Sequence, residues 1–294
     1  MNNYVGGKLQ VLIEKKELMK PLWIVFPEYC QYSMAWRMGG GEDYADKFRK
    51  WFSQFSAEEK EVYRNLFPTP VGWYGWWSDA DDFVEDPTFY SKGDLFTGDW
   101  RPTGRNIYTA EWLNNKLHEN TSVNIITCEN SATSRMLPSG WGKTRFCAPA
   151  GEPESTFFSV MEFVLECQSL YFSDELLSEL IYRAFDEPEE WSVLNLKIQS
   201  YTDEEWEALL PGLLAIGFYY QISQDEKLLK YVLASHDTNV YVVNDPKDRL
   251  LCGCLAKDKS MLDGKNLLGF ALMNARDEIY KIYENVGLCD CFGK

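Results

Sequence analysis

A mostly helical α+β fold with a small mixed sheet is what this sequence predicts, on three observations. From residue 157 onward apolar residues recur at three- and four-residue steps, the spacing of helices with a buried face. Strand-like runs are few and short, at 122–128 (SVNIITC), 239–243 (NVYVV) and 250–255. The chain has 294 residues, 45% of them hydrophobic and 15% aromatic, so a sizeable core can be buried.

Taken in order, PLWIVFP at 21–27 reads as a short buried strand bracketed by prolines. Gly39-Gly40-Gly41 precedes a helix over 43–54. Glu42 and Asp43 would repel phosphate there and no GK[ST] follows, so the glycines read as a flexible turn. Ser56-Ala-Glu-Glu59 is a capping box opening a helix to about Leu66. Trp36, Trp51, Trp73, Trp76 and Trp77 crowd into residues 36–77. They read as core; exposed, coplanar rings at 73–77 would instead suit sugar stacking. Residues 78–108 form a connection, 109–117 a helix, 122–128 a strand, and 148–155 a break in pattern.

Helices are then expected at 157–172, 174–185 and 188–198. A capping box at Thr202-Asp-Glu-Glu205 opens another to about Tyr220, which Pro211 should kink or split. A helix at 225–234 and the strands 239–243 and 250–255 follow. GKNLLGFALMNARDE, 264–278, opens the last long helix. Leu268, Leu272, Ala275, Ile279 and Ile282 line one face, Asn274, Arg276, Asp277, Glu278 and Lys281 lie on others, and the Asn266 side chain is placed to cap the first turn.

The net charge is −16, which disfavours bulk nucleic-acid binding while leaving room for a local basic pocket. The acidic run 79–86 reads as a solvated loop. No apolar run approaches bilayer length and the N-terminus lacks a secretory pattern, so a cytoplasmic protein without membrane contact is expected. The eight cysteines read as free thiols. Cys252, Cys254, Cys289 and Cys291 could supply four thiolates, but C-x-C is tighter than the usual zinc spacing, and there are only two histidines. No metal or cofactor is expected.

Chemistry concentrates in FFSVMEFVLECQSLYF, 157–172, apolar nearly all round. Glu162 and Glu166 are four residues apart and share a face, with Ser159 and Ser169 close to the same angle. Two carboxyls together in apolar surroundings cannot both ionise easily, so one pKa should rise. The structural alternative is that both reach solvent or pair with a basic group from elsewhere. At the other candidate, Lys265 opposes the dipole of the helix it precedes; either the lysine is incidental to a capped core helix, or an anion held by lysine and helix amides offsets the cost.

GKNLLG-x-x-LM-x-x-RDE resembles the C-terminal signature of the NADAR family, the NAD- and ADP-ribose-associated domain. Three weaker pieces keep the family's order over about residues 157–284: the Ser159–Gln168 stretch resembles its S-x-E-[HQ]-Y helix, the run from Trp206 through QISQDEKLL its W…K-F region, and Pro246-Lys-Asp-Arg-Leu250 its P-x-D-R-I segment. The resemblance implies an N-glycosidase that hydrolyses a ribose–nitrogen bond in ADP-ribose-type or N-ribosylated substrates. It implies catalytic carboxylates at Glu162, Glu166 and Asp248, and ligand contacts at Gly264, Lys265, Asn266, Gln168 and Ser169. The partner would be a nucleotide-sized small molecule. The pattern departs at Phe163, where the family has His or Gln, at Ser169, where it has Lys, and at Leu251-Cys-Gly-Cys254, where it has W-G-x-G; Ser139-Gly-Trp141 is a weak counterpart of its N-terminal strand segment. Those losses keep open a degenerate member that binds nucleotides or proteins without turnover. Residues 121–294 are the NADAR-like domain on this reading, and 1–120 an aromatic-rich accessory region.

Overall fold

The computed structural model describes residues 7–31, 33–73, 76–77, 95–96, 108–119, 124–128, 144–150, 152–184, 204–234, 236, 239–245 and 248–288. The elements are α1 (Lys8–Glu14), α2 (Leu22–Val25), a 3-10 turn (Met34–Arg37), α3 (Gly40–Phe52), α4 (Ala57–Leu66), α5 (Ala110–His118), β1 (Asn124–Cys128), β2 (Phe146–Ala150), β3 (Glu152–Phe157), α6 (Val160–Phe172), α7 (Glu175–Ala184), α8 (Glu204–Gln224), α9 (Glu226–Ala234), β4 (Asn239–Val243), β5 (Cys254–Leu255), β6 (Leu262–Asp263) and α10 (Leu267–Glu284). The fold is mostly helical α+β, as the periodicity predicts.

α8 is the axis of the packing. Every residue from Leu213 to Ser223 is buried, so this helix must be sheathed on all sides. α6 runs against it in the opposite direction. At one end Trp206 packs on Tyr171 and Phe172, with ring centroids 5.6 and 5.7 Å apart. At the other end Gly217 faces Val160, where a Cβ would lie 2.8 Å from Val160 Cγ1; glycine lets the two helices approach. α10 runs parallel to α8, with Lys265 beside Glu207 near both starts.

The strands form three separate two-stranded ladders rather than one mixed sheet: β1–β4 parallel, β2–β3 and β5–β6 antiparallel. Two strands are marginal alone, and their open edges leave backbone groups to satisfy. Side-chain amides fill those edges. Gln224 accepts from Cys147 N at 2.8 Å and donates to Cys147 O at 2.7 Å. Asn114 accepts from Leu262 N at 2.7 Å and donates to Leu262 O at 3.2 Å. Asn266 accepts from Val243 N and donates to Tyr241 O, both at 2.9 Å. Each amide mimics one rung of a missing strand and fastens a helix or its entry to a ladder.

Several local expectations are corrected. The 21–27 segment is one helical turn, α2, because Pro21 and Leu22 carbonyls accept the Ile24 and Phe26 amides and no described strand pairs with it. The 148–155 break lies within a hairpin, β2–β3, irregular between Ala148 and Ala150 where Pro149 interrupts the ladder. α6 starts three residues late, since Phe157 belongs to β3 and Ser159 caps Glu162 N at 3.1 Å. Pro211 does not split α8. Of 250–255 only Cys254–Leu255 is strand. α3 starts inside the glycine run, at Gly40. Asn266 makes no side-chain cap, because its amide is spent on β4. The acidic run 79–86, the 188–198 helix, Thr202 and Ser139–Trp141 lie outside the described residues.

The tryptophans pack as core. Trp23 and Trp73 are buried with Trp36, and Trp23–Trp77 and Trp73–Trp76 meet edge-on at 77°, so no coplanar sugar platform forms among the described rings. The Ser56–Glu59 capping box is present, and the Glu59 carboxylate also accepts from Leu9 N at 3.0 Å. These N-terminal residues share one hydrophobic core with α6, α8 and α10. Gln224 donates to Pro27 O at 3.0 Å, Asn285 to Leu66 O at 2.9 Å, and the Tyr220 hydroxyl to Val71 O.

Candidate functional site

The first two turns of α6 carry the carboxyl pair. Glu162 is buried, at 6% exposure, and its Oε2 accepts from Phe158 N at 2.6 Å. The Ser159 hydroxyl answers by capping the Glu162 amide, so the glutamate is held from both ends. Glu166 is half-buried one turn on. Burial pushes the Glu162 carboxyl above its ordinary 4.5, the Phe158 and Ser159 amides pull it back, and the Glu166 charge pushes it up further. Burial alone raises Glu166. Helical spacing leaves the two Cβ atoms about 5–6 Å apart. Two raised carboxyls one turn apart are the kind of pair from which an acid and a base can be made.

A pH dependence follows. Both carboxyls bind a proton more readily folded than unfolded, so stability rises as pH falls from the raised values toward 4.5. Thermal melts at pH 7 and pH 5 should show that this gain is smaller in the Glu162→Gln/Glu166→Gln double variant than in wild type; equal gains would contradict it.

The other predicted residues are placed elsewhere. Ser169 lies two turns from Glu162 on the same face, and its hydroxyl donates to Asp174 O at 2.9 Å, closing the end of α6. Gln168 is fully buried and points about 120° away around the helix. Asp248 Oδ1 accepts from Leu250 N and Leu251 N at 3.1 and 2.9 Å, shaping the turn before β5. Gly264 has φ +106, and a Cβ there would sit 2.8 Å from Cys252 O, so this glycine is required by the turn itself. The amides of Lys265, Asn266, Leu267 and Leu268 donate to the carbonyls of Arg249, Cys252, Leu250 and Leu251. Protein carbonyls therefore occupy the place where an anion was expected at the start of α10.

Lys265 reaches Glu207 Oε2 at 3.0 Å, with the two side chains 57% and 41% exposed. Glu207 precedes Gly217, the neighbour of the Glu162 turn, by ten residues of α8, or about 15 Å of helix. The structure does not bring Lys265 and Glu162 together. Lys265→Ala should cost at most about 1 kcal/mol in a urea melt, as for exposed ion pairs; a larger loss would show that the pair anchors the turn.

Periodicity missed a buried polar cluster on α10. Asn274, Arg276, Asp277 and Glu278, expected on faces other than the apolar stripe, are all buried. Arg276 Nε bonds Asp277 Oδ1 at 2.7 Å and Nη1 donates to Asn239 O at 2.7 Å. Tyr108 donates to Asp277 Oδ2 at 2.5 Å, and His236 stacks on Tyr280 with centroids 3.6 Å apart. The signal was present in Phe270, Met273 and Tyr283, which make this helix apolar between its charges as well as along its stripe. Among the described residues no group of His, Cys, Asp or Glu could hold a metal, and Cys289 and Cys291 lie outside them. The Cys252 thiol is pushed up to about 12 by burial and by Asp248, Asp245 and Cys254. No helix among the described residues is long and apolar enough to cross a membrane.

A helical α+β domain with α8 sheathed by α6 and α10, short ladders at its edges and a paired carboxyl at the start of α6, is the class these features define. The family model of the NADAR domain matches residues 126–280, just over half of the chain, and the chain belongs to the NADAR family. No curated protein and no solved structure matches it.

Proposed function

We propose that this protein is an N-glycosidase that hydrolyses a ribose–nitrogen bond of an ADP-ribose-type or N-ribosylated small molecule. The supporting observation is the Glu162–Glu166 pair, with both carboxyls raised, Glu162 being the residue that the motif resemblance equates with the family's glutamate. In the reaction, the protonated member of the pair gives its proton to the departing nitrogen as the C1–N bond breaks. The ionised member faces the oxocarbenium-like carbon and takes a proton from the water whose hydroxyl adds to C1. Asp248 is a further candidate carboxylate. Gln168, Ser169, Gly264, Lys265 and Asn266 serve this reading as supports of the site's framework more than as phosphate ligands.

A second reading has its own observation. The start of α10 is closed by carbonyls of Arg249, Leu250, Leu251 and Cys252, and Lys265 is paired with Glu207. With Ser169 and Leu251 at the family's lysine and tryptophan positions, this suits a member that binds nucleotides or proteins without turnover. Calorimetric titration of ADP-ribose, followed by chromatography of the same mixture with an N-ribosylated substrate, separates the two. Binding with release of free base supports the glycosidase; binding without release supports the module; neither supports a scaffold.

A further inference from the structure

The β2–β3 ladder ends beside Glu162, and its open face carries two groups that the carboxyl pair does not use. The ladder pairs Phe146 with Phe157 and Cys147 with Thr156. Continuing that register by one residue sets Arg145 across from Phe158, just past the last rung. Phe146 and Phe157 are buried, at 1% and 4% exposure, so alternation turns their outer neighbours toward the opposite, solvent face. The exposures agree: Arg145 is exposed and Phe158 is 39% exposed. The next pair inward on that face is Cys147 and Thr156, whose Sγ and Oγ1 lie 3.6 Å apart, so opposed side chains on it do meet.

One hydrogen bond ties this face to the carboxyl pair. Phe158 N donates to Glu162 Oε2 at 2.6 Å, and the Phe158 ring is joined to that nitrogen through Cα and Cβ alone. Covalent geometry therefore holds the ring beside the carboxylate. Its neighbours Phe146, Phe157 and Phe163 are all buried, whereas Phe158 keeps flat apolar surface in water, where a ligand ring would cover it. Arg145 makes no ion pair among the described residues, although the net charge is −16, so its guanidinium keeps its donors for an anion. Neither residue falls within the motif stretches that carry the family resemblance.

We propose that Arg145 and Phe158 recognise a nucleoside phosphate at the Glu162 site, the Phe158 ring stacking on the base and Arg145 holding the phosphate. This names the substrate class of the proposed glycosidase and rests on that reading for what becomes of the bound nucleotide. A nucleotide carries its base and its phosphate on either side of one ribose, so a base on Phe158 brings C1 to the carboxylate whose oxygen binds the Phe158 amide. Stacking is tolerant of base identity, so the pair selects phosphorylated nucleosides as a class.

The test is calorimetric titration of the full chain with adenosine monophosphate, against adenosine and ribose phosphate. Phe158→Ala, Phe158→Trp and Arg145→Gln accompany wild type; all keep the backbone amide that Glu162 uses, and thermal melts establish that each is folded. Wild type is expected to bind adenosine monophosphate saturably and each fragment about tenfold or more weakly. Phe158→Ala should weaken adenosine monophosphate by about tenfold, the scale of one stacked base, and Phe158→Trp should restore it. Arg145→Gln should bring adenosine monophosphate down to the affinity of adenosine. No saturable binding to wild type, adenosine binding as tightly as its monophosphate, or unchanged affinity in folded Phe158→Ala or Arg145→Gln would overturn the proposal. Release of base by wild type is assayed separately: its absence with the variant pattern intact would overturn the glycosidase reading and leave the recognition pair standing.

Discussion

Asn266→Leu is expected to destabilise the protein by about 4 kcal/mol, since each buried backbone group left unpaired costs about 1–3 kcal/mol and two are orphaned at once. Asn266 has no exposed surface, and its amide bonds both Val243 N and Tyr241 O. Leucine would restore neither bond. It would also sit at φ 49, ψ 40, a left-handed conformation that asparagine tolerates and leucine does not, adding about 1 kcal/mol. The loss approaches the whole stability of an ordinary domain, commonly about 5–15 kcal/mol. Asn266→Asp should fall between, because a carboxylate still accepts from Val243 N but sets an oxygen against Tyr241 O. Chemical denaturation of the three proteins checks the order. Near-equal midpoints for wild type and the leucine variant would show that the ladder edge does not depend on this amide. Gly269 belongs to the same joint: a Cβ there would press on Tyr241 O and lie 2.7 and 2.8 Å from the Asn266 amide atoms. The N-L-L-G of the signature is thus one mechanical unit, in which asparagine reaches the strand and glycine makes room for it.

The second large effect is on catalysis. Glu162→Gln should lower kcat/KM by about a thousandfold, within the roughly 10²–10⁴ that a positioned acid or base contributes, or about 4 kcal/mol of barrier. The amide is the informative replacement because its oxygen can still accept from Phe158 N, so the entry to α6 is kept while proton exchange is lost. Glu162→Ala removes both and confounds them. Thermal melts of the Gln variant should therefore stay within about 1 kcal/mol of wild type, the scale of one cap interaction, while activity collapses. Glu166→Gln should show a smaller loss in activity and a shifted pH profile, since its carboxyl supplies part of the upward push on Glu162.

How much of this was legible in the residues divides along physical lines. α6, α8 and α10 were readable because apolar spacing reports which face a helix buries, and Asp225, Ser56 and Thr109 announce helix starts through side-chain oxygens that accept first-turn amides. The carboxyl pair was readable because four-residue spacing in an apolar helix leaves both acids on one face. Tertiary satisfaction was not readable. Asn266 has the composition of an N-cap, but its amide serves a strand 23 residues earlier in the chain. Lys265 suits an anion, but its partner is Glu207, 58 residues away, and the helix amides behind it meet carbonyls from the preceding turn. The 21–27 run has the apolar residues of a strand, but without a described strand to pair with, its amides close a single helical turn. A hairpin at 146–157 was hidden by Pro149, which breaks the alternation that would reveal it.

The central claim is that Glu162 belongs to a working N-glycosidic site. The most direct measurement is chromatographic release of free base from an N-ribosylated or ADP-ribosylated small molecule, by wild type and Glu162→Gln side by side, with melting curves of both. The expected result is steady release by wild type and about a thousandfold slower release by the variant at nearly unchanged stability. Equal rates in the two proteins, or no release by a folded wild type that binds ADP-ribose, would contradict it.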